Sequence, residues 1–125
     1  MGFPSPAKDY SEERISLDKE IIKHPNSTFF MHMEGDSMME AHIPPGSLLV
    51  IDRSLKPRSS NIVVAIVNGE YIVRRLKKDA FKGWLIAENK KIKDLLIDPE
   101  QQVEIWGVVI AWVIDGKTVS NVRTN

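Results

Sequence analysis

Ile62-Val63-Val64-Ala65-Ile66-Val67-Asn68-Gly69-Glu70-Tyr71-Ile72-Val73-Arg74-Arg75-Leu76 decides the fold class of this chain. Two β-branched runs flank an Asn-Gly pair. A two-residue type I′ turn needs positive φ at both central positions, which Asn and Gly tolerate, and its twist matches that of the strands it joins. The stretch therefore predicts a hairpin with strands at 61–67 and 70–76. Outward from it lie further strand candidates at 28–33, 47–52, 84–88 and 103–114, rich in Val, Ile, Phe and Trp. Pro44-Pro45-Gly46, Lys56-Pro57 and Lys82-Gly83 punctuate them as turn signals. No repeat and no helix-turn-helix module accompanies these runs. The expected architecture is a mainly β single domain with short helical turns.

One short helix is predicted over Ser16 to Lys23. Ser16 caps it, Asp18 and Glu20 suit its first turn, and Leu17 and Ile21 share a face. Lys23 and His24 suit its end and Pro25 stops it. Residues 1–10 carry two prolines and no periodicity, which reads as an extended arm. The chain divides into an N-terminal arm, 1–14, and a compact β domain, 15–125.

A chain of 125 residues without cysteine must hold together by its core alone, and this length suffices for one domain. The lack of thiols excludes a disulfide framework and a cysteine nucleophile, and suits a reducing cytoplasm. No apolar run approaches the ~18 residues of a membrane span, and no basic-then-apolar signal opens the chain. Seventeen basic and seventeen acidic side chains cancel, so bulk charge offers no case for direct nucleic-acid binding. His24, His32 and His42 fit no metal-ligand spacing, and neither a metal nor a cofactor is expected.

Chemistry concentrates in Glu34-Gly35-Asp36-Ser37-Met38-Met39-Glu40-Ala41, between the strand candidate ending at Met33 and the Pro44-Pro45-Gly46 turn. A serine on a tight strand-to-turn junction is sterically open, as an attacking hydroxyl requires. Gly35 leaves room for a substrate backbone, and the amides after Ser37 are placed to meet an oxyanion. Asp36 beside Ser37 mimics part of a triad, but no histidine is bound by sequence to complete it. Met31 and Met33 share a strand face and, with Met38 and Met39, read as groove or core packing.

Gly35-Asp36-Ser37-Met38 together with Val73-Arg74-Arg75-Leu76 resembles the self-cleaving serine peptidase family of LexA repressors and UmuD. Gly2-Phe3-Pro4-Ser5-Pro6-Ala7, Asp9-Tyr10 and His24-Pro25 are similar to the UmuD branch, and Glu104-Ile105-Trp106-Gly107-Val108-Val109 to the family's last strand. The likeness runs nearly end to end and implies a LexA/UmuD C-terminal-like β domain. It implies Ser37 as nucleophile, with a lysine general base in the following Val-Lys-Arg-Leu type strand. It also places the self-cleavage point immediately before Gly-Phe-Pro-Ser-Pro, here between Met1 and Gly2, so the chain is expected to begin as the processed form of UmuD does. Membrane-anchored signal peptidases, which share a Ser-Met motif, lack their anchor here.

Arg74 occupies the lysine position. Burial can bring a lysine from ~10.4 toward 7–8, whereas an arginine starts above ~12 and needs about 5–7 units of depression. Arg74 is thus expected to donate hydrogen bonds and to leave the serine proton in place. Two functions follow from the resemblance. One is an accessory subunit of an error-prone translesion polymerase in the SOS response, acting as a homodimer with a UmuC-type polymerase and the RecA filament. The other is an autoprotease in which a different base serves Ser37. An unrelated β-barrel binding module is the third reading. The almost continuously apolar Val103 to Ile114 supports a dimer, unless the domain itself buries the surplus. The eight Lys and Arg of 71–93, against two acids, read as a solvated edge or as a docking surface.

Overall fold

The computed structural model of the chain describes residues 16–117. The arm at 1–14 and the Met1–Gly2 bond lie outside the described residues. One helix, α1 (Leu17–Ile21), precedes seven strands: β1 (Thr28–His32), β2 (Leu48–Asp52), β3 (Ile62–Val67), β4 (Glu70–Lys78), β5 (Gly83–Ile86), β6 (Leu95–Leu96) and β7 (Val103–Val113). They form one sheet in the order β1-β2-β7-β3-β4-β5-β6, every neighbouring pair antiparallel. The mainly β expectation holds, with most strand bounds within one or two residues.

Asn68 and Gly69 sit at φ 49° and 86°, so the predicted turn links β3 to β4 with both central residues left-handed. Ser16 caps α1 by accepting from the Lys19 amide, as read. The helix is shorter than 16–23 because Ile22 is already extended. It buries no residue, and five residues cannot repay helix nucleation alone. The pair Leu95–Leu96 was not foreseen as a strand; two residues are too few to carry a period.

Strand β7 positions everything else. It lies between β2 and β3, and its pairing shifts register against both. Ile110 is the extra residue opposite Val50/Ile51, and Trp106 the extra residue opposite Val64/Ala65. Such bulges bend a strand and tighten its twist. The sheet coils accordingly around two apolar clusters. Met33, Met38, Ile43, Leu49, Ile51 and Val64 are among the first, to which Trp106, Val109 and Trp112 also belong. Val63, Ala65, Leu76 and Leu85 are in the second, with Val108 and the partly buried Ile105 and Ile110. The β7 residues of the first cluster thus recur every three positions where a regular strand gives two. Both faces are used, and the apolar surplus of 103–114 is largely absorbed within the domain.

Two further details fix this crossing. A Cβ on Gly107 would stand 2.5 Å from Ile51 Cγ2, so only glycine lets β7 pass β2 there. Asp52, 1% exposed at the end of β2, accepts from the Ser54 amide and hydroxyl and lies 2.6 Å from His24 Nδ1. Burial alone would raise this carboxyl. The Ser54 hydroxyl, the His24 ring and the Ser54 amide outweigh it and hold the carboxyl below the ordinary carboxylate range. Asp52 thereby ties the segment before β1 to the β2 end.

Candidate active-site cleft

The chain leaves β1 at His32 and turns sharply before β2. Gly35 adopts φ 75°, a conformation that a side chain strains, while a Cβ there would meet nothing within 4 Å. Glycine is demanded by the backbone here, and the space above it stays open. Met38 is fully buried and anchors the turn in the first cluster, and Met33 lies beside it. A single 3-10 turn, Met39–Ala41, follows and ends at His42 in the left-handed region. The His42 carbonyl accepts from the Trp112 indole at 2.9 Å, which pins the turn to β7. Ser37 is thus held between an anchored methionine and the left-handed turn at Gly35, at 9% exposure.

Ser37 opens onto a cleft of about 550 Å³. Met31, Gly35 and Asp36 line it on the serine side, and Tyr71, Val73 and Arg74 on the β4 side. The two segments singled out from sequence therefore meet in one site. Adjacent strand residues diverge, and the two arginines behave accordingly. Arg75 pairs with Glu88 and donates to the Ser60 carbonyl, while Arg74 lines the cleft. Arg74 Nη1 donates to the Val73 carbonyl at 2.8 Å, and no hydrogen bond joins it to Ser37 among the described residues. Burial lowers the Arg74 pKa. That is the direction a base needs, but the distance to neutrality is far larger for a guanidinium than for an ammonium.

The Met39 amide is taken by the Asp36 carbonyl at 3.3 Å. The amides of Ser37 and Met38 make no hydrogen bond within the described residues; Ser37 lines the cleft, whereas Met38 is fully buried behind it. No group of three or more His, Asp or Glu among the described residues is arranged to hold a metal.

Sequence reading missed the strap behind this turn. Asn89 Nδ2 donates to the Asp36 carbonyl at 2.9 Å, and the Glu40 amide donates to the Glu88 carbonyl at 2.9 Å. Glu88 is also the partner of Arg75 on β4. The segment after β5 thus braces the serine turn against β4, two elements 53 residues apart at Asn89 and Asp36. An Asn-Lys-Lys stretch reads only as a loop, so no sequence signal marked Asn89.

A turn serine and an arginine lining one cleft, on an antiparallel sheet, define a serine-peptidase-like β domain. Comparison with known proteins gives its kinship: residues 1–110 match the Peptidase S24-like family. Protein MucA of Salmonella typhimurium is 39% identical over 115 residues, 91% of this chain and 78% of MucA. Protein SamA of Salmonella typhimurium is 37% identical over 118 residues, 90% of this chain and 77% of SamA. Protein ImpA of Shigella flexneri is 47% identical over 75 residues, 60% of this chain and 52% of ImpA. The chain belongs to the Peptidase S24-like family, on the UmuD branch of its LexA/UmuD proteins.

Proposed function

We propose that this chain is a UmuD-like accessory subunit of an error-prone translesion polymerase in the SOS response, working by assembly and not by hydrolysis. It acts in this reading as a cytoplasmic homodimer, with a UmuC-type polymerase and the RecA filament as partners. The observation that carries the reading is Arg74. The family likeness spans the chain, the cleft is intact around Ser37, and the side chain in the base position is one that holds its proton. Retention of such a cleft without its base fits a domain kept for its surfaces. The test is complementation. With its UmuC-type partner, the chain restores damage-induced mutagenesis to bacteria lacking their own UmuD-like protein, and Ser37→Ala restores it equally. Loss of complementation in Ser37→Ala would overturn the assembly reading.

One set of observations favours the second reading, an autoprotease acting at the bond between Met1 and Gly2. The amides of Ser37 and Met38 are unengaged by the described residues, and burial moves Arg74 in the direction of a base. Cleavage of a polypeptide fused ahead of Gly2, with Arg74 intact, would establish it.

A further inference from the structure

A second concavity lies on the other flank of β4 and shares no lining residue with the Ser37 cleft. It measures about 380 Å³. Its floor is aliphatic: Leu76 is buried there, and Ile97 and Ile105 are half-buried. Lys56, Lys78 and Lys82 stand around it, against Asp79 as the one acid of its lining. That acid is already occupied, since Asp79 Oδ1 accepts from the Phe81 amide at 2.8 Å and the Lys82 amide at 2.7 Å. Lys78 Nζ donates to the Pro57 carbonyl at 3.1 Å, which fixes one cation at the rim.

The β4–β5 turn presents Phe81 beside this groove at 93% exposure. Asp79 clamps the turn from both directions, because its own amide also donates to the Lys82 carbonyl at 2.9 Å. The aromatic ring is therefore displayed on a fixed backbone. With only two side-chain torsions to order, an aromatic on a fixed backbone loses little conformational entropy for its contact area on binding, a property shared by interface anchors. Beside an apolar recess whose three lysines outnumber its one carboxylate, it specifies the chemistry of what binds.

We propose that the groove between Phe81, Leu76 and Ile105, rimmed by Lys56, Lys78 and Lys82, docks an acidic segment of a partner protein carrying an apolar anchor. The anchor enters the aliphatic recess against Phe81, and flanking carboxylates face the three ammonium groups. Charge complementarity selects the acidic partner. Nucleic acid is disfavoured because a single-strand platform stacks successive bases on several aromatic faces, and this lining has one aromatic ring and no arginine. The inference does not depend on what Ser37 does.

The test is selection from a phage-displayed dodecapeptide library on the immobilised full chain, followed by fluorescence polarisation of a selected peptide. Peptides rich in Asp and Glu around Leu, Ile or Phe are expected. Their binding should weaken at least ~10-fold in Phe81→Ala and in Lys82→Glu, and should fall as salt rises. Ser37→Ala should bind them like the parent. Both Phe81 and Lys82 are exposed, so the variants remain folded, which their melting curves verify. Selection of peptides without acidic residues, or binding indifferent to both variants, would overturn the proposal. So would tight binding of oligothymidine at this groove, or chain self-association abolished by Phe81→Ala.

Discussion

At the scale of single residues, Arg74 and Asp52 show how one charge in one place sets behaviour. An arm with a cleavable bond fused ahead of Gly2 should stay intact at neutral pH, with or without a RecA filament, because Arg74, in the position the resemblance gives to the lysine base, keeps its proton. Arg74→Lys should then create cleavage, since an ammonium can be desolvated into a base within roughly 3 pKa units. Ser37→Ala in that background should remove it. A gel of the fused protein across neutral to alkaline pH reads all three, and cleavage with Arg74 intact would reverse the order of the two functional readings. Asp52 carries a stability effect with a definite sign. Its folded pKa lies below the unfolded one, so its stabilisation is full above about pH 4 and is lost as pH falls through the folded value. Asp52→Ala should cost on the order of 2–3 kcal/mol near neutrality, leaving the Ser54 amide and His24 without their acceptor. Urea melts from about pH 2 to pH 6 should show a flatter acid limb in the variant than in the parent.

At the scale of elements, the decisive feature is how β7 meets its neighbours. Gly107→Ala forces a methyl group onto Ile51 and should destabilise by about 1–3 kcal/mol, visible as a lower melting temperature with the same β-type circular dichroism. Gly69→Ala strains the β3–β4 turn by about 1–2 kcal/mol through its φ of 86°. The second effect was legible in sequence, because Asn-Gly between β-branched runs has a local cause. The first was not. Gly107 lies in an apolar run, and only the crossing of β2 shows why it must be bare. The same contrast separates what could be read from what could not elsewhere in the domain. Ser16 as a cap and the strands at 28–33 and 47–52 follow from neighbours in sequence. Bulges at Trp106 and Ile110 depend on partners some 40–60 residues away, and they turn a regular alternation into an apolar stretch that looks overfilled. Ser37 and Arg74 were singled out through paired motifs, and both line the cleft. Asn89 escaped because its role is a single side-chain bond to a distant carbonyl.

At the scale of the whole molecule, the apolar length of β7 no longer argues for a partner, since two clusters consume most of it. The apolar surface that β7 itself leaves exposed is at its C-terminal end. Val113 and Ile114 are 45% and 38% exposed, and Phe30 and Leu17 stand at 55% and 66%. Leu17, Phe30 and Val113 line one shallow groove of about 220 Å³ beneath α1. An exposed apolar patch of this kind is one that a second copy of the chain can cover in a two-fold contact, in which each surface meets its own copy. Because Phe30 lies on β1, at the edge of the sheet formed by the described residues, the patch also borders a row of backbone groups that no described strand pairs and that a second chain can satisfy. The homodimer in the proposed function is therefore expected to close through this end and not through the centre of β7. Sedimentation at tens of micromolar should give twice the 14.2 kDa chain mass. Phe30→Glu with Val113→Glu should shift it to the monomer by placing unpaired charges in the contact, while the melting temperature changes little because both side chains are already solvated. A parent protein that sediments as a clean monomer would remove the dimer. A dimer untouched by the double variant would move the contact to another face.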